Sequence, residues 1–118
     1  MEIATDKTIL TEFVNCCFNP KYYVLIVAHD KSIQDYYESL EYFISHTPLN
    51  KLIRQTDRQR LSIEIDLNNG SRLLIKKPYK YNRYVNKILF DYRLIMNEKL
   101  NESYMTQITN QERQYKTL

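Results

Sequence analysis

The sequence predicts a mixed α/β domain: a small sheet, built from a parallel pair of strands and an inserted β-hairpin, with flanking helices. Three observations predict it. Residues 22–28 form a near-continuous apolar run rich in β-branched and aromatic side chains, as in a strand buried on both faces. Residues 60–76 alternate between apolar and polar about an Asn69-Gly70 pair, the signature of a hairpin. Apolar residues at spacings of three and four flank the first run, which marks amphipathic helices.

Taken in chain order, Ile9, Leu10, Phe13 and Val14 place a helix over residues 7–16, which Asn19-Pro20 stops. The apolar strand 22–28 follows. Ser32 is a candidate N-cap for a second helix, whose inner face carries Ile33, Tyr36, Tyr37, Leu40 and Ile44 and which ends near His46, before Thr47-Pro48. In residues 60–66, Leu61, Ile63 and Ile65 share one face, opposite Arg60, Ser62, Glu64 and Asp66. Asn69-Gly70 is the signal for a type I′ turn, and residues 71–76 return with Leu73 and Ile75 inward until Pro78. Residues 87–91 read as another short buried strand. A last helix, capped by Asn97, carries Leu100, Tyr104 and Ile108, and the polar tail 111–118 is expected to fray. Because a helix separates strand 22–28 from strand 87–91, the two are expected to lie parallel, joined by a right-handed crossover.

A chain of 118 residues holds one domain, and 43% hydrophobic with 26% charged residues is a globular composition. No apolar run approaches the roughly 20 residues of a membrane helix, so no membrane partner is expected. The first residues, with Glu2, Asp6 and Lys7, do not resemble a secretory signal, which points to the cytoplasm, that of a host cell if the protein is viral. Cys16 and Cys17 are adjacent, which suits reduced thiols better than a disulfide framework, and no His/Cys spacing suggests a metal site. Eleven Tyr, a single Gly and abundant Asn, Lys and Ile fit coding by AT-rich DNA.

Charge is divided along the chain. Residues 1–50 hold seven acids and three Lys/Arg, a balance of −4, whereas residues 51–118 hold seven acids and fourteen Lys/Arg, a balance of +7. The densest stretch runs from 72 to 93, where Arg72, Lys76, Lys77, Lys80, Arg83, Lys87 and Arg93 are opposed in sequence by Asp91 alone. Tyr79, Tyr81, Tyr84 and Tyr92 lie between them. Cations neutralise phosphates and Tyr rings stack on unpaired bases, so DNA or RNA is one expected partner. An acidic host or viral protein is the other. His29 and His46 have no Ser, Cys or carboxylate tied to them by spacing, and Asp35, Glu38 and Glu41 read as the wet face of the second helix.

Asp6-Lys7-Thr8 opens the first helix; an apolar strand, a helix, Asn69-Gly70-Ser71-Arg72, Arg83 and a strand ending in Asp91 follow. Over almost its whole length this succession resembles part of the ATPase core of the large terminase subunit of tailed bacteriophages, a DNA-packaging motor. The resemblance implies that Lys7 matches the phosphate-contacting Lys, Thr8 the hydroxyl on Mg²⁺, Arg83 the family's downstream Arg and Asp91 the metal-associated acid of the Walker B strand. The departures fall on the chemistry. Asp6 stands where the family has Gly, the Gly-rich loop and the strand before it are missing from the pattern, and Tyr92 stands at the catalytic Glu. A phenol with an ordinary pKa of about 10 is a poor base for activating water. The expectation is a degenerate or fragmentary terminase-like domain of a viral or mobile-element protein, without catalytic residues or a bound metal, and with ATP and Mg²⁺ only if a partner supplies the missing loop. The alternative is a small phage-type binding module using segment 72–93.

Overall fold

The computed structural model describes residues 2–78 and 84–96. Its first element is a strand the sequence pattern did not announce, β1 (Glu2–Ala4), three residues long. Thr5 alone separates it from helix α1 (Asp6–Phe18). Thr5 and Thr8 form a reciprocal cap: the Thr5 hydroxyl accepts from Thr8 N–H at 3.1 Å, and the Thr8 hydroxyl accepts from Thr5 N–H at 2.8 Å. Two of the orphan N–H groups of a helix start are thereby satisfied.

Strand β2 (Tyr23–Val27) leads into α2 (Asp30–Ser45), which starts two residues ahead of the anticipated Ser32 cap. His29 is the N-cap instead, its Nδ1 accepting from Lys31 N–H at 3.2 Å. A short 3₁₀ turn, Pro48–Leu52, then enters β3 (Ile53–Gln59), a second strand the pattern missed. Its residues are mostly exposed and polar, so no apolar alternation marks it. Strands β4 (Ser62–Leu67), β5 (Arg72–Lys76) and β6 (Lys87–Asp91) follow, and α3 (Tyr92–Met96) begins directly after β6. The helix and frayed tail anticipated beyond Asn97 lie outside the described residues.

The six strands form one sheet in the order β1-β6-β2-β5-β4-β3. β2 lies parallel to β6 and to β5, as expected for residues 22–28 beside 87–91, and β1 extends the parallel part to four strands. The parallel region is therefore larger than a pair. The hairpin is built into it, since β5 is hydrogen-bonded to β2 on one side and to β4 on the other. The β4–β5 turn also differs from type I′, which needs two residues of positive φ. Gly70 has φ 85°, while Lys21 is the one non-glycine residue with positive φ among those described. Gly70 N–H donates to Leu67 C=O and Leu67 N–H to Ser71 C=O, so Gly70 supplies the single left-handed residue of a bulged turn.

Alternation then sorts the side chains. Ile9, Phe13 and Cys16 of α1 and Ile33, Tyr36, Tyr37 and Leu40 of α2 meet Val24, Ile26, Ile63, Ile65, Leu73, Ile75 and Leu89 on one face of the sheet. Leu25, Val27, Leu74, Ile88 and Phe90 point the other way, toward Val85 and Leu94. β2 is thus apolar throughout because both its faces are covered. Each fully buried Leu or Ile contributes about 1.5–3 kcal/mol. Asp35, Glu38 and Glu41 are exposed, as expected of the wet face of α2, but Tyr42 is too, at 68%, and it stacks on His46 at 4.1 Å rather than filling the core.

Candidate functional site

In parallel α/β sheets the carboxyl ends of the strands are where loops can gather chemistry. Here β1, β6, β2 and β5 end together: Ala4 is in register with Asp91, and Val27 with both Phe90 and Lys76. The fold therefore brings Thr5–Thr8 at the start of α1 beside Asp91, with His29 at the start of α2 on the other side. Two of the sequence-derived positions, the Lys7-Thr8 pair and Asp91, meet at one edge although more than 80 residues apart in sequence.

Asp91 is fully buried, at 0% exposure. Its Oδ2 accepts from the backbone N–H of His29 at 3.0 Å. Its Oδ1 accepts from the Tyr36 hydroxyl at 2.9 Å and from Arg93 N–H at 3.3 Å. Tyr36 also lies within 3.3 Å of Ala4 C=O. Burial, and then its bond to Asp91, push the Tyr36 phenol well above its ordinary range, so it stays a donor. Both carboxylate oxygens are satisfied from within the chain.

These contacts decide what the edge can hold. The Thr8 hydroxyl is spent on the Thr5 cap and on the Thr5 and Ile3 carbonyls, at 3.1 and 3.3 Å. A loop able to wrap a phosphate is replaced by the single residue Thr5, although a strand does precede the helix, contrary to the sequence reading. Lys7 is exposed. A Mg²⁺ ion needs free, hard oxygens, and a triphosphate needs a cradle of backbone N–H groups. The residues present do not fit either.

The basic segment is dispersed. Arg72 and Lys76 stand at opposite ends of β5 on the face of Leu74, while Lys87 shares the helix-covered face with Leu89. The fold brings acids to several of these cations: Arg72 Nε lies 2.8 Å from Glu64 and 2.9 Å from Asp66, Lys77 lies 3.0 Å from Asp30, and Lys87 pairs with Glu2. Burial lowers the Lys76 ammonium from its ordinary value. Tyr84 and Tyr92 are exposed, and the Arg93 guanidinium sits 5.8 Å over the Tyr92 ring. Tyr79, Lys80, Tyr81 and Arg83 lie outside the described residues.

Sequence reasoning missed Tyr36 and the main chain of His29 as partners of Asp91. Tyr36 reads as inner-face packing, and it is 9% exposed, but its hydroxyl is what reaches the carboxylate. The one local clue is a polar tip on an otherwise apolar stripe. Among the described residues no group of three or more His, Cys, Asp or Glu could hold a metal ion, and no helix is long and apolar enough to cross a membrane. No model of a known protein family matches the chain, and no curated protein or solved structure matches it.

Proposed function

We propose that this chain is a non-hydrolytic domain on a terminase-like ATPase scaffold, degenerate or fragmentary and of viral or mobile-element origin, which acts by binding rather than by catalysis. One observation carries the reading: the helix that opens with Lys7-Thr8 begins beside the carboxyl end of the strand that finishes in Asp91, with the apolar strand β2 parallel to it. That juxtaposition suits the scaffold. The spent Thr8 hydroxyl, the saturated Asp91 and the phenol of Tyr92 argue against turnover. Purified protein should release no phosphate from ATP above a blank, with or without Mg²⁺. Turnover that disappears in Lys7→Ala would overturn the reading.

The second reading, a nucleic-acid or acidic-protein binding module, is favoured by the exposed Tyr92 ring beneath Arg93. Binding through phosphates makes affinity fall steeply as salt rises. A fluorescence titration of single-stranded DNA at low and moderate salt separates the partners: salt-sensitive binding supports nucleic acid, and no binding at low salt removes it.

A further inference from the structure

Three donors from two helices converge on the Asp91 carboxylate: the N–H of the α2 cap residue, the Tyr36 hydroxyl from the second turn of α2, and the Arg93 N–H from α3. Only one of the three belongs to the residue's own neighbourhood in sequence. The carboxylate also faces the positive end of a sixteen-residue helix. One turn before Tyr36, the Ser32 hydroxyl is buried, at 3% exposure, and has no hydrogen-bond partner among the described residues. Since i and i+4 share a ridge and helical side chains lean toward the N-terminus, this hydroxyl belongs to the same side of α2. The acids nearby have other roles: Asp30 is held by Lys77, and Asp6 opens α1.

This arrangement is what a receptor for a small carboxylate requires: N–H and O–H donors in a water-poor site with a helix dipole behind them. We propose that the carboxyl end of the sheet contains an anion pocket that the chain fills with its own Asp91, and that this self-occupancy closes the edge to outside ligands. Removing the side chain opens the pocket to a monocarboxylate from solution. Asp91→Ala keeps Cβ and leaves space for formate, whereas Asp91→Gly also has room for the methyl group of acetate.

The test is thermal unfolding of wild type, Asp91→Ala and Asp91→Gly in formate, acetate and chloride at equal ionic strength. The expected result is a saturable rise in midpoint of about 4 °C or more for Asp91→Ala in formate and for Asp91→Gly in acetate, relative to chloride. Wild type should respond equally to all three anions. If a variant is unfolded without anion, the readout becomes recovery of its far-ultraviolet dichroism by formate or acetate. Absence of anion-selective recovery in both variants, or the same selectivity in wild type, overturns the pocket. Independently, Tyr36→Phe should speed exchange of the His29 amide proton by about tenfold, and unchanged exchange also counts against it. The pocket owes nothing to kinship with a terminase, so ATP turnover and anion rescue fail separately.

Discussion

The two ends of the sheet each bury a carboxylate bonded to a tyrosine, yet they are built differently. At the carboxyl end Asp91 takes Tyr36 O–H and two backbone N–H groups. At the amino end Glu12 of α1, 8% exposed, takes the Tyr22 hydroxyl at 2.8 Å and only a long 3.4 Å bond from the Asn15 amide. Much of the tying at that end is done by other groups. The Asn69 amide donates to the carbonyls of Cys16, Cys17 and Asn19, and the Ser71 hydroxyl donates to Asn19 C=O while accepting from Tyr22 N–H. A carboxylate backed by main chain joins whole elements, whereas one backed by side chains is a local tie with substitutes around it.

The comparison breaks first at Asp91. Asp91→Ala leaves buried donors unmet and should lower unfolding free energy by about 3–5 kcal/mol in a urea titration; a loss under about 1 kcal/mol would mean that the carboxyl end is no more constrained than the amino end. Alkaline pH should tell the ends apart next. Burial, with the charges of Cys17 and Glu12 adding, pushes the Cys16 thiol from 9.0 up to about 12, and burial takes Cys17 from 9.0 to about 11. Folding favours the neutral thiol in each case. Their stabilising contribution is therefore complete below the unfolded thiol value and lost as pH climbs from there through the folded values. Cys16 neighbours Glu12 and Cys17 follows it in α1, so unfolding free energy should fall from pH 9 upward, and a Cys16→Ala, Cys17→Ser variant should show a shallower fall. An unchanged slope assigns the effect to the tyrosines.

Glu12→Ala is expected to cost about 1–2 kcal/mol, less than Asp91→Ala, because its main loss is a single strong bond. Equal costs would erase the distinction between latch and tie. Asn69→Ala removes the donor to the last carbonyls of α1 and should cost about 1 kcal/mol, with faster amide exchange confined to the end of α1 and the start of β2. Exchange that spreads to the His29 amide would show the two ends to be coupled.

How much of this was legible beforehand follows the range of the forces involved. The two long helices, the buried β2 and the hairpin are written in local periodicity, which each segment carries by itself, while the parallel placement of β2 beside β6 follows from the order of elements and the crossover rule. β1 escaped because three residues hold no period, and β3 escaped because an exposed edge strand has no apolar face to display. Local chemistry misled at two boundaries. Ser32 has the right side chain for a cap, but His29, placed by the end of β2, took that position, and Asn69-Gly70 promised two left-handed residues where the bulged turn uses one.

The candidate site divides the same way. It was the resemblance to a terminase ATPase core that singled out Lys7, Thr8 and Asp91, and the departures from its pattern at Asp6 and Tyr92 can be read without coordinates. That Asp91 is saturated, that Thr8 is consumed by its own cap, and that Glu64 and Asp66, Asp30 and Glu2 pair with Arg72, Lys77 and Lys87 are decisions of the tertiary structure. Tyr36 and Asp91 are 55 residues apart, and Lys87 and Glu2 are 85. A hydrogen bond or ion pair acts over a few ångströms, so its partner is chosen by how the strands are ordered in the sheet and not by any neighbour in the chain.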